Sequence, residues 1–534
     1  MIKYDLNDIG YKYKGISSTK VTSIKSKSGW NIIDIPVDED INKIEKFVED
    51  FIGKIVAIEL PTSLVCNLRC KYCYIDDPRM KNKIVSSDTI TSILEKVKEY
   101  FPRFDPKNVN EKDKVYFSPW GAEPFANIST LETVYEFAHE HYGKDKYILH
   151  TSTNGTISSK KIFDFLNNVY MDGALPSIQV SLDGPEYLQN KYRPSINDKI
   201  NSYEQVKKFC FALNDISKEH NIKNRLYSFC STIHLVDDDF AKHWVDAADF
   251  FSEPNTWHTS LPSLPMRMSG EDMASPEHVE RFVEAQKLIF ELIKNKTKKN
   301  NIPIVDFYSY KLFGMLSTKT RNSFPYCSAL NTQMGIDVDG NIYPCHGPIT
   351  SPEYKPFLWL GNIFEKTISF KQLYRNLSYQ YGTLWTKGKC KECPLNIFSL
   401  GNICWSCAPH NLAITGEPSM DSVIKCIAYE ASFKYWIAIA KMCIDNPILN
   451  KIPENWYNDI ILSEDDINAI KQNDKIQNPI TKHKCHFDMN YDGLIEKAVE
   501  RMALFNKCKQ NCGYEKLTDS WWEFDNYLDI VAKN

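Results

Sequence analysis

The stretch at residues 66–75, CNLRCKYCYI, places three cysteines within eight residues. Thiolate is a soft ligand that selects iron–sulfur clusters or zinc, so one loop with this spacing can wrap a small metal centre. A closed zinc site or a fully ligated [4Fe–4S] cluster needs four protein ligands. Either a distant His or Cys completes the set formed by Cys66, Cys70 and Cys73, or the fourth position stays open to a small molecule.

Strand-like and helix-like segments alternate from about residue 54 to residue 300. The strand candidates are residues 54–61, 114–120, 146–153, 177–184, 225–235 and 255–264. Helical stretches lie between them at residues 86–101, 129–142, 202–220 and 275–295, the first two beginning with a Ser or Thr placed to cap the helix. Six strand–helix repeats predict a parallel sheet with right-handed crossovers, a partial version of the eight-stranded barrel. Its functional residues should lie at the carboxyl ends of the strands.

The segments at these strand ends agree with that expectation. The cysteine loop follows the first strand, and the next three strands end in WGAEP (residues 120–124), STNGT (152–156) and SLDGP (181–185). Each is the kind of loop on which a site is built.

Composition excludes several classes of protein. The net charge of −4 over 534 residues offers no basic excess for nucleic acid. No apolar run reaches the ~18 residues of a membrane span, and the first residues do not form a signal peptide. The sixteen cysteines therefore indicate metal binding or redox chemistry in a cytoplasmic protein rather than disulfides.

CNLRCKYCYI resembles the signature of radical S-adenosylmethionine (SAM) enzymes, in which the SAM amino and carboxylate groups chelate the open iron of a [4Fe–4S] cluster. In that family electron transfer cleaves SAM and gives a 5′-deoxyadenosyl radical that abstracts a substrate hydrogen. Tyr72 matches the aromatic residue that the family has before the third cysteine.

The strand-end segments match the same family residue by residue. WGAEP resembles its Gly-Gly-Glu-Pro motif, which holds the SAM amino group, with Ala122 in place of the second glycine. SLDGP and the following NKYR resemble its Ser-Ile-Asp-Gly-Pro segment and downstream Tyr-Arg, which implies that Arg193 pairs with the SAM carboxylate and Ser181 contacts the ribose. STNGT matches its Thr-Asn-Gly turn. The SAM-binding residues implied by the resemblance are Tyr72, Gly121, Ala122, Glu123, Asn154, Ser181 and Arg193.

Seven further cysteines follow the predicted barrel. They are Cys327, Cys345, Cys390, Cys393, Cys404, Cys407 and Cys426. CKEC and CWSC alone are also typical of two zinc knuckles. Residues 327–345, with the pattern C-x12-G-x4-C, resemble the opening of the SPASM domain of peptide-modifying radical SAM enzymes, in which seven cysteines hold two auxiliary [4Fe–4S] clusters.

The SPASM resemblance implies a ligand set and a base. An inner cluster would take Cys327, Cys345 and Cys407, while Cys390, Cys393, Cys404 and Cys426 would hold an outer one. The ten residues between Cys393 and Cys404 are interpreted as a loop insertion. Sulfatase maturases of this family carry an Asp base directly after the second SPASM cysteine, and His346 stands there in this chain.

The predicted fold class is α/β, with a partial (β/α)6 TIM-type barrel, a cysteine-rich SPASM domain and a mostly helical C-terminal region. The expected domains are residues 1–53 (a lead-in with one hairpin and one helix), 54–320, 321–430 and 431–534. The sequence predicts an enzyme with three [4Fe–4S] clusters and SAM that modifies a peptide or protein by crosslinking, thioether formation, epimerisation or oxidation. Its partners would be that substrate and a reductant such as flavodoxin or ferredoxin, with no nucleic acid and no membrane. A small-molecule radical SAM enzyme and a non-catalytic iron–sulfur electron carrier remain the alternatives.

Overall fold

The computed structural model describes residues 22–35, 40–73, 75, 84–174, 178–197, 199–222, 225–253, 256–258, 266–269, 276–300, 328–350, 358–374, 376–377, 432 and 435. The strands are β1 (Thr22–Lys25), β2 (Asn31–Ile35), β3 (Ala57–Ser63), β4 (Val115–Gly121), β5 (Tyr147–Leu149), β6 (Ser152–Thr153), β7 (Ile178–Ser181), β8 (Tyr227–His234), β9 (Met266–Ser269), β10 (Gln333–Ile336), β11 (Asn341–Tyr343), β12 (Gly361–Asn362) and β13 (Thr367–Ser369). The α-helices are α1 (Ile41–Ile52), α2 (Ser87–Tyr100), α3 (Ile128–Tyr142), α4 (Lys160–Met171), α5 (Glu186–Tyr192), α6 (Ser202–Glu219), α7 (Phe240–Phe251) and α8 (Pro276–Asn300).

The chain divides into two compact units. The first contains residues 1–182, 189–230 and 327–378, and the second contains the rest. A nine-stranded sheet in the first unit has the order β1-β2-β13-β12-β11-β10-β3-β4-β5. Strands β10, β3, β4 and β5 are mutually parallel, and so are β6, β7 and the first half of β8. Strand–helix repeats with parallel pairing confirm the predicted α/β fold.

Burial explains why these segments form these elements. All seven residues of β3 are buried, as expected of a parallel strand covered on both faces. Helix α2 begins after Ser86, whose hydroxyl accepts a hydrogen bond from the Thr89 backbone N–H. Its buried residues recur on one face at helical spacing: Ile90, Ile93, Leu94 and Val97.

The lead-in hairpin forms as predicted and joins the main sheet. Strand β2 pairs with β13 in parallel, Asn31 opposite Thr367. Trp30 is fully buried and meets the ring of Phe101 edge-on, with centroids 5.7 Å apart. Residues more than 300 positions apart in the chain are therefore strand neighbours, which no local pattern indicates.

Three sequence-based expectations need correction. The third strand is split into β5 and β6. The sixth strand is β9 (Met266–Ser269), and the three described residues of the predicted segment, 256–258, form a bend and a turn, in which the His258 ring stacks on Phe250 with ring centroids 3.7 Å apart. Ser129 does not cap α3, because the chain enters that helix from a 3-10 turn and Asn127 takes the cap position.

The second unit continues the repeat pattern. The last four residues of β8 pair in parallel with β9. Helices α7 and α8 pack through Phe240, Trp244 and Phe282, whose ring centroids lie 5.3–6.4 Å apart. None of the described helices is long and apolar enough to cross a bilayer. The predicted helical region 431–534 lies outside the described residues, apart from Ser432 and Tyr435.

Candidate functional site

The three-cysteine loop begins three residues after β3 ends. The Cys73 backbone N–H donates to the Cys70 carbonyl at 3.2 Å, which closes a turn between the second and third thiols. The Cys66 sulfur accepts hydrogen bonds from the Leu68 backbone N–H at 3.4 Å and from Asn154 Nδ2 at 3.6 Å. One strand end thus presents three soft donors, a set that fits an iron–sulfur cluster with one open iron.

The loop is fixed to the last residue of α5 and to the segment that follows it. Arg69 N–H donates to the Pro194 carbonyl and Lys71 N–H to the Tyr192 carbonyl, both at 2.9 Å. In the reverse direction, the Ile196 N–H donates to the Asn67 carbonyl at 3.1 Å. These backbone bonds hold the predicted metal ligands against the segment that contains Arg193.

The Cys66 thiol lies in an environment that opposes its ionisation. Burial raises the pKa of Cys66 to about 12, and the charge of Glu123 acts in the same direction. The Leu68 N–H partly opposes that rise in pKa. A metal bound to this sulfur would supply the positive charge that the protein surroundings lack.

Glu123 is fully buried two residues after the end of β4 and is held by three hydrogen bonds. Thr153 Oγ1 and the Asn154 N–H each donate to it at 2.7 Å, and the Phe125 N–H donates at 3.1 Å. Burial raises the pKa of Glu123 to about 7, although these hydrogen bonds and the charge of Arg193 counteract the rise. The predicted SAM-binding acid is thus positioned by the STNGT turn of the neighbouring repeat.

Both small residues before Glu123 have a structural reason. A Cβ atom at Gly121 would overlap the carbonyl oxygen of Ser63 on β3. The Ala122 N–H donates to that same oxygen at 2.8 Å. The Ala122 methyl packs against a buried apolar cluster that includes Trp120 and Tyr343, so the departure from the second glycine of the motif is accommodated.

The STNGT turn is built on a left-handed glycine and a clamped asparagine. Gly155 has φ +65°, a conformation that a side chain would strain. Asn154 Oδ1 accepts from the Thr156 N–H at 2.8 Å and from the Thr156 hydroxyl at 2.7 Å, while its Nδ2 donates to Asn67 Oδ1 at 2.9 Å. The side chain of Asn154 is therefore directed toward the cysteine loop.

Arg193 and Tyr72, two of the predicted SAM-binding residues, lie side by side. The Arg193 guanidinium stands 5.3 Å from the centroid of the Tyr72 ring, and the Tyr192 ring lies 6.0 Å from Tyr72. Arg193 is 8% exposed. Ser181 ends β7 opposite Cys230, and among the described residues it makes no hydrogen bond to Glu123 or Arg193.

A second group of residues forms around Cys345 and His346. The His346 backbone N–H donates to Glu59 Oε2 at 2.6 Å, and its ring Nδ1 lies 2.9 Å from Glu59 Oε1. The His346 ring also lies 5.2 Å, centroid to centroid, from Trp120, directly before Gly121. A carboxylate only accepts, so this contact places the ring proton on Nδ1 and leaves the lone pair of a neutral ring on Nε2.

The backbone beside this pair is tightly packed. A Cβ atom at Gly335 on β10 would lie 2.6 Å from the Cys345 carbonyl carbon and oxygen. Strand β10 pairs in parallel with β3, Gly335 opposite Glu59. The hairpin that carries Cys345 and His346 is therefore built directly onto the strand that leads to the three-cysteine loop.

Sequence reasoning missed four residues of these groups: Glu59, Asn67, Thr153 and Thr156. A charged residue in the otherwise uncharged strand AIELPTS was a signal for Glu59. Thr153 and Thr156 flank the predicted Asn154, where short hydroxyl side chains commonly complete a turn. Six of the seven predicted auxiliary-cluster cysteines lie outside the described residues: Cys327, Cys390, Cys393, Cys404, Cys407 and Cys426.

Comparison with family models gives two matches. Residues 60–251 match the radical SAM superfamily, and residues 327–394 match the SPASM iron–sulfur cluster-binding domain. The first match spans the cysteine loop, WGAEP, STNGT, SLDGP and Arg193. The second begins at Cys327 and includes the hairpin with Cys345 and His346.

Several curated proteins are similar over most of their length. The cysteine-type anaerobic sulfatase-maturating enzyme of Clostridium perfringens is 22% identical over 354 residues, covering 62% of this chain and 84% of that protein. The serine-type anaerobic sulfatase-maturating enzyme of Bacteroides thetaiotaomicron is 23% identical over 398 residues, covering 68% of this chain and 86% of that protein. The radical SAM cyclopropyl synthase TigE of Paramaledivibacter caminithermalis is 23% identical over 327 residues, covering 58% of this chain and 60% of that protein.

Solved structures share the fold. The structure of anSMEcpe with bound AdoMet (SAM) has a TM-score of 0.51 and 18% identity, covering 78% of this chain and 98% of that chain. A structure of anSMEcpe with AdoMet and the Cp18Cys peptide has a TM-score of 0.50 and 18% identity, covering 76% of this chain and 99% of that chain. Together with the motif geometry, the two family matches show that the chain contains a radical SAM domain and a SPASM-type iron–sulfur cluster-binding domain.

Proposed function

We propose that this enzyme is a maturase that modifies a peptide or protein substrate after abstracting a hydrogen atom from it. The observation that carries the proposal is the placement of His346 and Cys345. Their hairpin is strand-paired to β3, and the His346 ring packs on Trp120, the first residue of the WGAEP motif. A SPASM domain joined this closely to the expected SAM-binding motif suits a substrate that must contact both the SPASM domain and the bound SAM.

The similar proteins support a polypeptide substrate. Two of those described above are sulfatase-maturating enzymes, whose substrates are proteins, and one anSMEcpe structure contains a peptide. The Asp that sulfatase maturases carry after the second SPASM cysteine is replaced by His346 in this chain. We therefore infer another modification, such as a crosslink, a thioether, an epimerised residue or an oxidised one.

The residues of the first unit have distinct proposed roles. Cys66, Cys70 and Cys73 would hold a [4Fe–4S] cluster, and Glu123, Arg193, Tyr72 and Ser181 would bind SAM. A cluster held by these cysteines would supply the electron for the reductive cleavage of bound SAM. Glu123, with its carboxylate fixed by three donors, would accept an amino N–H of SAM, and the Arg193 guanidinium would pair with the SAM carboxylate.

His346 is proposed as the proton acceptor. After hydrogen abstraction, completing a two-electron oxidation of the substrate requires the loss of one proton as well as one electron. Glu59 fixes the His346 ring through both Nδ1 and the backbone N–H. The side chain of His346 is 37% exposed, compared with 11% for Glu59, so His346 is the member of the pair that a substrate can approach. Its Nε2 atom would take the proton, and an auxiliary cluster of the SPASM domain would accept the electron.

The remaining proposals concern cofactors and partners. We propose two auxiliary [4Fe–4S] clusters in the SPASM domain, one using Cys345, for a total of about twelve irons. A low-potential protein such as flavodoxin or ferredoxin would supply electrons in the cytoplasm. Iron and zinc analysis after anaerobic reconstitution tests the cluster count: about twelve irons support it, and two zincs with about four irons contradict it.

Mass spectrometry of peptides tests the proposed activity. Peptides encoded beside the gene are incubated with reconstituted enzyme, SAM and reductant in D2O. We expect a SAM-dependent loss of two hydrogens, or deuterium incorporation without oxidation, in one peptide. The contrary result is that no peptide changes, while a compound in a low-molecular-weight extract is modified and stimulates 5′-deoxyadenosine formation. The substrate would then be a small molecule, and the proposal would be wrong.

His346→Ala tests the assigned proton acceptor in the same assay. This variant should still form 5′-deoxyadenosine but lose the oxidised peptide product. The matched control is His139→Ala, because the His139 Nδ1 atom also lies 2.9 Å from a carboxylate, that of Asp172, but on helix α3. Equal product yields from His346→Ala and the control would remove His346 from the mechanism.

A further inference from the structure

Asn154 is oriented toward the cysteine loop by interactions on every side of its carboxamide. Oδ1 accepts two hydrogen bonds from Thr156, one from its backbone N–H and one from its hydroxyl. Nδ2 donates to Asn67 Oδ1 at 2.9 Å and lies 3.6 Å from the Cys66 sulfur. Because the backbone N–H of Thr156 can only donate, the amide cannot be flipped without losing this arrangement.

The backbone of Asn154 is equally constrained. Its N–H donates to Glu123 Oε2 at 2.7 Å, and Asn154 is only 6% exposed. Asn67 Nδ2 in turn donates to Thr156 Oγ1 at 2.8 Å, which closes a ring of three side chains. The amide N–H therefore points at Cys66 in a fixed geometry, with little room to turn toward another group.

We propose that Asn154 is a positioning residue for the cluster: it donates a hydrogen bond to the Cys66 sulfur and raises the reduction potential of the cluster bound there. The contact that carries this proposal is the one between Asn154 Nδ2 and the Cys66 sulfur. The proposal rests on the assignment of Cys66, Cys70 and Cys73 as cluster ligands.

The physical reason is the charge on the sulfur. Reducing the cluster adds one negative charge, part of which resides on the thiolate ligands. An N–H donor stabilises the reduced state more than the oxidised state, so hydrogen bonds to cluster sulfurs raise the potential. The Cys66 sulfur has two donors, Asn154 Nδ2 and the Leu68 N–H. The backbone donor cannot be removed by ordinary substitution, whereas the side-chain donor can.

Asn154→Ser is the informative variant. Serine can still accept from the Thr156 N–H, as short hydroxyl side chains do in such turns, but it has no amide N–H to reach the sulfur. Thr156→Val is the matched control. It removes the hydroxyl that donates to Asn154 Oδ1 but leaves the Thr156 backbone N–H as an orienting donor and does not touch the sulfur.

Electron paramagnetic resonance of the reconstituted full chain gives the measurement. The cluster held by the three-cysteine loop is recognised as the signal that SAM perturbs. A redox titration without SAM gives its midpoint potential, and electron–nuclear double resonance after D2O exchange gives its exchangeable-hydrogen coupling. In Asn154→Ser, at unchanged iron content, the midpoint should move to a more negative potential and one exchangeable coupling should disappear. Thr156→Val should retain both wild-type values.

Two results would overturn the proposal. In one, Asn154→Ser keeps the wild-type midpoint and couplings. In the other, it weakens SAM binding while the midpoint stays unchanged, which would make Asn154 a SAM ligand.

If Asn154→Ser fails to load the cluster, Asn154→Gln provides the second test. The longer side chain retains an amide, so restored loading with a wild-type coupling supports the donor role, and restored loading without that coupling refutes it. A wild-type protein with no SAM-sensitive signal would instead refute the cluster assignment itself.

Discussion

Replacing Glu59 by alanine should loosen the segment that carries Cys345 and His346. Glu59 accepts the His346 backbone N–H at 2.6 Å and faces the ring Nδ1 at 2.9 Å. A hydrogen bond to a charged acceptor contributes about 1.5–3 kcal/mol. Loss of the backbone bond alone should therefore raise the population of the locally open state by roughly 10- to 150-fold, since 1.4 kcal/mol corresponds to a factor of ten.

Hydrogen–deuterium exchange of the reconstituted enzyme measures that opening. Fragmentation of the peptide covering residues 341–350 resolves the His346 amide, whose exchange rate should rise by the same factor in Glu59→Ala. Glu59→Gln should give a smaller increase, because one carboxamide oxygen can still accept the backbone N–H. The control is Glu49→Ala, which removes a carboxylate that accepts from Ser28. A His346 exchange rate in Glu59→Ala within twofold of wild type would refute the reasoning.

Three further predictions concern the expected SAM-binding groups. Gly121→Ala should lower the free energy of unfolding by about 1–3 kcal/mol, because the added methyl group would overlap the Ser63 carbonyl oxygen. The loss should appear as a reduced Tm. An unchanged Tm would contradict the close packing of Gly121 on Ser63. Burial raises the pKa of Glu123 to about 7, which means that the folded protein favours the protonated acid. The contribution of Glu123 to the free energy of unfolding is therefore fully present below its ordinary pKa and is lost as pH rises through about 7. The ionised carboxylate is the better acceptor, so SAM affinity measured by calorimetry should rise over the same pH range, and Glu123→Gln should remove that dependence. Arg193→Lys should weaken SAM binding and lose the stacking of the guanidinium on Tyr72, which is worth about 0.5–2 kcal/mol. Tyr72→Phe should keep this stacking. Equal SAM affinity in Arg193→Lys and wild type would refute the role of the guanidinium.

The positions of the expected SAM-binding residues could be predicted because they follow from chain order. In a parallel strand–helix fold the carboxyl ends of successive strands lie at the same edge. Chain order alone therefore predicts that the loops after β3, β4 and β6 lie close together. Glu123 contacting the STNGT turn, and Asn154 contacting Cys66, agree with that rule. The strands themselves were recognisable because their buried, β-branched and aromatic residues are local signals.

Contacts between distant segments could not be predicted. Glu59 and His346 are 287 positions apart, and nothing near either residue in the sequence indicates the other. The pairing of β2 with β13 has the same character, because strand partners are set by tertiary packing and not by local propensity. The misplaced sixth strand shows the opposite error, since His258 resembles a strand residue locally but packs in a turn against Phe250.

The most direct test of the central claim is 5′-deoxyadenosine formation by the Cys66→Ala, Cys70→Ala, Cys73→Ala triple variant. The reconstituted protein is incubated anaerobically with SAM and a strong reductant, and the product is quantified by chromatography. The control is Cys230→Ala, which removes a thiol on β8 that is outside the motif. The triple variant should lose about four irons and all SAM-dependent 5′-deoxyadenosine, while the control retains both. A triple variant that forms 5′-deoxyadenosine at the wild-type rate would contradict the assignment of this loop as the radical-generating site.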